Sequence, residues 1–115
     1  MRQTKAANYD AIVFVGGGGS SEYWNNPAAH KIAKEMAVMG KVVGAICIAP
    51  VILANAGILN GKKATVFPSE IERLKAKGAI YTCAGVEIDG RIITANGPQS
   101  AALFGEAIVA ALLQR

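Results

Sequence analysis

The sequence is poor in the residues that build disulfide frameworks and metal sites. Its 115 residues include one histidine, His30, and two cysteines, Cys47 and Cys83, which form no C-x-x-C pair. Two cysteines without a short spacing fit a reducing compartment better than a disulfide scaffold. We therefore expect a cytoplasmic protein that binds no metal ion and no organic cofactor.

Long apolar runs are missing as well. None approaches the length of a membrane-spanning helix, and the amino-terminal stretch MRQTKAANYD lacks the apolar core of a signal peptide. The net charge is +4, but the lysines and arginines are scattered, and no basic stripe carries interleaved aromatic residues. We therefore expect no membrane partner and no nucleic-acid partner. The positive charge is expected to serve solubility.

The composition that remains is typical of one globular domain. Hydrophobic residues make up 52% of the chain and charged residues 17%, which suits a hydrophobic core and shows no bias toward disorder. No internal repeat and no linker-like segment divides the sequence. We therefore expect residues 1–115 to form a single domain.

Short apolar runs alternate with helical patterns in the first half of the chain. The runs Tyr9–Val15 and Lys41–Ile46 predict strands that are buried on both faces. Between them a helix is predicted that Asn26 caps and that ends at Gly40. A second helix is predicted over residues 50–57. This order is typical of a parallel α/β fold with right-handed crossovers.

Two short strands are predicted next, over residues 64–67 and 79–83. Both segments are rich in residues with a high β propensity, and turn residues bound them. Ser69 and Glu72 have the spacing of a capping box, so we expect them to begin the helix that lies between these strands.

The run VEIDGRIITAN predicts a β-hairpin. Two alternating stretches are joined by Asp89-Gly90, which is a preferred dipeptide for a two-residue turn. A closing helix is predicted over residues 100–115.

Four consecutive glycines, Gly16 to Gly19, follow the first predicted strand. Such a run has a large conformational cost, so we expect it to serve a positive φ or a close approach of the backbone to a ligand, a reacting group or another backbone. A flexible linker is the alternative. The run lacks the third glycine of the dinucleotide fingerprint and the Gly-Lys-Ser/Thr of a P-loop, which argues against a nucleotide.

The stretch GAICIAPVILA carries the sharpest chemical signal. Ala45 and Ala49 flank Cys47 at the small-residue spacing of a nucleophile elbow, in which a reactive side chain sits on a tight strand-to-helix turn. A cysteine there lies at the carboxyl end of a strand, where open α/β sheets bind ligands, and at a helix N-terminus, which stabilises a thiolate. A buried, inert cysteine is the alternative. If the first two strands are neighbours, the glycine amides lie beside Cys47 and can hold a developing oxyanion.

Three segments together resemble the ThiJ/PfpI family, which comprises Parkinsonism-associated deglycase-like and intracellular protease-like proteins. They are YDAIVFVGGGG, GKVVGAICIAPVILANAGILNGKKATVFPS and VEIDGRIITANGP, followed by a closing helix. The resemblance implies a flavodoxin-like, three-layer α/β sandwich with a mostly parallel sheet and a β-hairpin, of the class I glutamine amidotransferase-like type. It implies a reactive Cys47, an oxyanion or substrate site at Gly17, Gly18 and Ile48, and frequent homodimers.

The activities that the resemblance implies are glutathione-independent glyoxalase or deglycase chemistry on 2-oxoaldehydes or their adducts, peptidase activity, chaperone action and redox sensing. Many peptidase-like members have a histidine directly after the cysteine, where this chain has Ile48, and some members have one before the proline, where it has Phe67. His30 lies in the first predicted helix and is expected to face solvent. A Cys-His dyad and peptidase activity are therefore not expected.

Family members begin with a further strand-helix-strand region that carries a glutamate beside the cysteine. The resemblance begins at Tyr9, so it implies an N-terminally truncated domain whose first strand has an open edge. The glutamates Glu22 and Glu87 have no spacing that places them beside Cys47. Two kinds of partner follow: a small carbonyl substrate or glycated adduct, and a second copy of the chain or a complementing N-terminal segment. A glyoxalase or deglycase is the first hypothesis, and a redox-sensing or chaperone-like oligomer or a degenerate fragment is the alternative.

Overall fold

The structure, a computed structural model, describes residues 9–16 and 24–114. Within them the chain forms six strands and four α-helices, and a short 3-10 helix precedes each of the last two α-helices. In chain order the elements are β1 (Ala11–Val15), α1 (Pro27–Val38), β2 (Val42–Ile46), α2 (Pro50–Asn55), β3 (Lys63–Ala64), the 3-10 helix Pro68–Glu70, α3 (Ile71–Ala76), β4 (Ile80–Tyr81), β5 (Val86–Asp89), β6 (Ile92–Ala95), the 3-10 helix Pro98–Ser100 and α4 (Ala101–Leu113).

The main sheet has four strands in the order β1-β2-β6-β5. β1, β2 and β6 run parallel, and β5 is antiparallel to β6. β3 and β4 form a separate two-stranded parallel sheet. The predicted parallel α/β arrangement is confirmed. The expectation that the first two strands are neighbours is also confirmed, because β1 pairs with β2.

Helices cover both faces of the main sheet. On one face, Phe14 of β1 and Val43 of β2 share a buried cluster with residues of α1 and α2, among them Met36. On the other face, Val42 and Ile46 of β2 are buried with Phe104 of α4. This three-layer order is that of a flavodoxin-like sandwich.

The start of α1 follows the prediction. The Asn26 side-chain oxygen accepts hydrogen bonds from the amides of Ala28 (2.9 Å) and Ala29 (3.0 Å), and Pro27 is the first helical residue. These bonds satisfy two of the amides that a helix N-terminus leaves without intrahelical partners.

The capping box predicted from Ser69 and Glu72 is wrong. Ser69 lies inside the 3-10 helix that Pro68 opens, and its hydroxyl donates to the Glu70 carboxylate at 2.7 Å. Glu70, the residue before α3, makes no side-chain capping bond among the described residues, and the Glu72 carboxylate lies 4.0 Å from the Lys75 ammonium group instead. Because Pro68 holds φ in the helical range, the chain turns one step before the predicted cap.

The β5–β6 hairpin is confirmed, but its turn lies one residue later than predicted. Asp89 pairs with Ile92 and is the last residue of β5, so the two loop residues are Gly90 and Arg91. Gly90 takes the positive φ (64°) that this turn requires. The Asp89 carboxylate accepts a hydrogen bond from the Lys63 amide at 2.8 Å, which ties the hairpin to β3.

The strands predicted over 64–67 and 79–83 are shorter in the structure. After β3 the backbone amides turn to other partners: the Thr65 amide donates to the Thr94 hydroxyl (2.9 Å), and the Phe67 amide donates to the Cys47 carbonyl (2.9 Å). At the end of the second segment, Cys83 has a φ of 56°, which a strand cannot contain. In the part of the chain that the structure describes, no helix is long and apolar enough to cross a membrane.

Candidate functional site

Cys47 lies at the turn that connects β2 to α2. It directly follows Ile46, the last residue of β2, and has a left-handed φ of 66°. Its amide donates to the Ala95 carbonyl (3.1 Å), and its carbonyl accepts from the Phe67 amide (2.9 Å). A left-handed non-glycine residue costs of the order of 1–3 kcal/mol and persists only where its surroundings fix it. Strand β6 and the 65–67 segment therefore hold this cysteine in its left-handed conformation from two sides.

The alanines on either side of Cys47 are where a tight turn needs small residues. Ala45 and Ala49 are both fully buried, Ala45 in β2 and Ala49 directly before α2. The Ala49 amide donates to the Ile46 carbonyl at 3.2 Å, which closes the turn around the cysteine. This geometry agrees with the predicted elbow, while a chemical role for Cys47 stays a prediction.

Gly16, the first of the four glycines, makes the close backbone approach that the glycine run predicted. Its amide donates to the Ile46 carbonyl at 3.1 Å. A Cβ atom at this position would lie 2.6 Å from the Ile46 oxygen, 2.7 Å from the Ile48 nitrogen and 2.8 Å from Cys47 Cβ. Only glycine fits against the turn at this point. The predicted oxyanion residues Gly17 and Gly18 lie outside the described residues, as does Glu22.

The amide of Ile48, the third residue predicted for the oxyanion or substrate site, belongs to the same turn, and its role there stays a prediction. It follows Cys47 directly, and it donates to no acceptor within residues 9–16 and 24–114. An unused backbone N–H next to a nucleophile is the kind of donor from which oxyanion sites are built.

Burial raises the pKa of the Cys47 thiol, and desolvation is the cause. The thiolate stabilisation expected from a helix N-terminus stays a prediction: α2 has only 6 residues, and no charged side chain of the described residues offsets the desolvation.

The remaining candidate side chains lie elsewhere. His30 is half-buried rather than solvent-facing, because its Nε2 lies 2.6 Å from the Trp24 carbonyl oxygen in the segment that leads into α1. Glu87 lies on β5 opposite Thr94. No hydrogen bond or ion pair joins either side chain to Cys47, and the described residues contain no cluster that could hold a metal ion.

Comparison with known proteins gives the family. The sequence profile of the DJ-1/PfpI family matches residues 1–111. The chain belongs to the DJ-1/PfpI family. The resemblance inferred from the three segments is thereby confirmed.

Relatives within the DJ-1/PfpI family carry several names. An uncharacterized protein of Methanocaldococcus jannaschii is 54% identical over 108 residues, which are 91% of this chain and 53% of that protein. A deglycase of Pyrococcus abyssi is 34% identical over 78% of this chain and 54% of its own length. A glutathione-independent glyoxalase of Caenorhabditis elegans is 30% identical over 97% of this chain and 60% of its own length. The chain thus spans about half the length of the curated relatives that it matches.

The DJ-1/PfpI fold is equally clear among solved structures. A ThiJ/PfpI domain protein from Brachyspira murdochii superposes with a TM-score of 0.96 at 33% identity, over 98% of this chain and 65% of that one. The flavodoxin-like fold is therefore confirmed.

Two contacts of this DJ-1/PfpI site were missed by sequence reasoning. Gly16 was treated only as the start of the glycine run, although it is the glycine that touches the turn. The Phe67 amide was not considered, although it holds the Cys47 carbonyl. The position of Gly16 directly after an apolar predicted strand was the available signal for the first contact, whereas the second depends on tertiary packing.

Proposed function

We propose that this chain is a cysteine-dependent glyoxalase or deglycase that acts on 2-oxoaldehydes or their adducts, with Cys47 as the nucleophile. One observation carries the proposal: Cys47 occupies a left-handed turn at the carboxyl end of a parallel strand, held by Ala95 and Phe67. Relatives that bear deglycase and glyoxalase names support the substrate class.

The first step is addition of the Cys47 thiol to an aldehyde carbon. The sulfur–carbon bond forms, the carbonyl π bond opens, and the thiol proton ends on the new oxygen, which gives a hemithioacetal. We propose that the Ile48 amide, which lies within the described residues, donates a hydrogen bond to that oxygen. The amides of Gly17 and Gly18 are further proposed donors. Movement of the C1 proton to C2, together with transfer of the C1 hydroxyl proton to the C2 oxygen, then gives a thioester of the 2-hydroxy acid. Water adds to the thioester carbonyl, the sulfur–carbon bond breaks, and the acid and the free thiol are released.

The proton transfer between C1 and C2 needs a base. Desolvation governs the Cys47 pKa, and neither His30 nor Glu87 is hydrogen-bonded to the thiol. We therefore expect slow turnover by the chain alone, unless a residue outside the described ones or a partner chain supplies a carboxylate.

The test is consumption of methylglyoxal by the wild type, by Cys47→Ser and by Cys83→Ser as the matched control. We expect turnover in the wild type and in Cys83→Ser, and none above the uncatalysed rate in Cys47→Ser. Equal turnover in all three proteins would remove Cys47 from the mechanism.

A redox-sensing or chaperone-like oligomer is the second candidate, because neither role needs the base for proton transfer between C1 and C2 that the described residues do not place at Cys47. In that case Cys47 is oxidised reversibly to a sulfenic acid without turnover of methylglyoxal. Sulfenic-acid labelling at Cys47 that a reductant reverses, in a protein that leaves methylglyoxal unchanged, would favour this candidate. A degenerate fragment would show neither property.

A partner at the edge of β1 is also proposed: a second copy of the chain or a complementing N-terminal segment. The Asp10 carbonyl and the Gly16 amide bond to β2, so by strand alternation the amides and carbonyls of Ala11, Val13 and Val15 point away from the sheet. No described residue pairs with them. Val13 is 40% exposed and Val15 71% exposed, and an apolar open edge invites pairing with another chain.

The partner proposal is tested by light scattering of the purified chain. A mass above 11.9 kDa that falls in Val15→Lys supports self-association through this edge. A monomeric wild type would leave the complementing segment as the proposed partner. A cytoplasmic location, a single domain over residues 1–115, and the absence of cofactor and nucleic acid stay predictions.

A further inference from the structure

Phe67 is an exposed aromatic residue in a segment that is otherwise buried. Thr65 and Val66 directly before it are fully buried, whereas Phe67 is 40% exposed and packs in neither hydrophobic cluster of the described chain. Single exposed apolar residues are common on protein surfaces, and the described chain has several. What distinguishes Phe67 is its position beside the candidate site, where an aromatic ring offers apolar contact area.

The backbone fixes Phe67 next to Cys47. The Phe67 amide donates to the Cys47 carbonyl at 2.9 Å, so the two residues lie within one residue length of each other. On the one side Thr65 is bonded through its amide to Thr94 and through its hydroxyl to the Ala84 carbonyl. On the other side Pro68 opens a 3-10 helix. Phe67 is therefore held at both ends by rigid neighbours.

Two other apolar residues adjoin the same turn. Ile48 follows Cys47 and is half-buried. Val15, which is 71% exposed, pairs with Ile46 and directly precedes Gly16, the glycine whose backbone touches the turn. These three neighbours of the turn are thus apolar, and desolvation, with no charged neighbour, accounts for the raised pKa of the Cys47 thiol.

We propose that Phe67, with Val15 and Ile48, forms an apolar wall beside Cys47 that selects carbonyl substrates with an aryl or branched alkyl substituent over those with a methyl or polar one. This inference rests on the proposed function, because it names the substrate class of the same site. The wall acts on the substituent next to the reacting carbonyl and leaves the addition step unchanged.

Thiol labelling tests the wall without any need for turnover. N-phenylmaleimide and N-(2-hydroxyethyl)maleimide carry the same reactive group with an aryl or a polar substituent, and Cys83 serves as a reference in the same molecule. Peptide mass spectrometry gives the labelling rate constant of each reagent at each cysteine. The selectivity is the rate constant for N-phenylmaleimide divided by that for N-(2-hydroxyethyl)maleimide at Cys47, and this ratio is then divided by the same ratio at Cys83. We expect this selectivity to exceed 1 in the wild type and to fall about three- to tenfold in Phe67→Ala.

Two further variants keep the test specific. Phe67→Leu retains an apolar side chain and is expected to keep most of the selectivity, which guards against a folding defect in Phe67→Ala. Ile88→Ala removes another exposed apolar side chain, on β5, and is expected to leave it unchanged. An unchanged selectivity in Phe67→Ala, or an equal loss in Ile88→Ala, would overturn the inference.

A turnover assay separates the inference from the proposed function. The ratio of kcat/KM for phenylglyoxal to that for methylglyoxal should fall in Phe67→Ala in parallel with the labelling selectivity. Absence of turnover together with a Phe67-dependent labelling selectivity would contradict the glyoxalase proposal and support the wall. Turnover whose substrate preference does not depend on Phe67 would overturn the wall and support the glyoxalase.

Discussion

Replacing Gly16 with alanine should destabilise the fold by about 1–3 kcal/mol, because the new Cβ has no room. It would lie 2.6 Å from the Ile46 oxygen, 2.7 Å from the Ile48 nitrogen and 2.8 Å from Cys47 Cβ. Two of these atoms belong to the backbone, so no side-chain rotation relieves the contact. Either the end of β1 or the turn that carries Cys47 must move.

The assay is urea unfolding of Gly16→Ala, with Gly105→Ala as the matched control. Gly105 lies within α4, and a Cβ there meets nothing within 4 Å. The same change should therefore stabilise α4 by about 0.5–1 kcal/mol through helix propensity. The change in the free energy of unfolding is therefore expected to be negative for Gly16→Ala and positive for Gly105→Ala. A Gly16→Ala protein as stable as the wild type would refute the close approach on which the site geometry rests.

Three further predictions follow from individual contacts. Because burial raises the pKa of the Cys47 thiol above its ordinary value of about 8.5, iodoacetamide labelling of Cys47 should be slow at pH 7 and keep rising above pH 9; a plateau below pH 8 would contradict this. Asn26→Ala removes the α1 cap and should lower the free energy of unfolding by about 1 kcal/mol in urea titrations, with Asn60→Ala, on an exposed turn, as the control. Val15→Lys should lower the mass measured by light scattering if β1 edges pair, while Val38→Lys, at the exposed end of α1, should not.

The main elements of the fold could be predicted from local patterns. β1, β2 and α1 have clear signals, namely apolar runs and an Asn-Pro helix start, and the structure contains all three elements. Burial on both faces is confirmed for β2 but is wrong for β1, which is the first strand of the described sheet and has β2 as its one described neighbour. Prediction from the sequence failed where backbone amides form hydrogen bonds with groups that are distant in the chain. The strand predicted over 64–67 stops at Ala64 because the next amides bond to the Thr94 side chain and the Cys47 carbonyl.

The predictability of the site divides in the same way. The spacing of Ala45, Cys47 and Ala49 predicted a strand-to-helix turn, which the structure contains. The protonation state of Cys47 could not be read from that spacing, because it depends on how much water reaches the thiol and which charges face it. The contact of Gly16 with the turn likewise depends on the register of β1 against β2.

The most direct test of the central claim, that Cys47 performs chemistry on a carbonyl substrate, is NMR of 13C-labelled methylglyoxal incubated with the protein. The account predicts conversion to lactate by the wild type and by Cys83→Ser, and no conversion above the protein-free control by Cys47→Ser. Lactate formation at an unchanged rate in Cys47→Ser would contradict it.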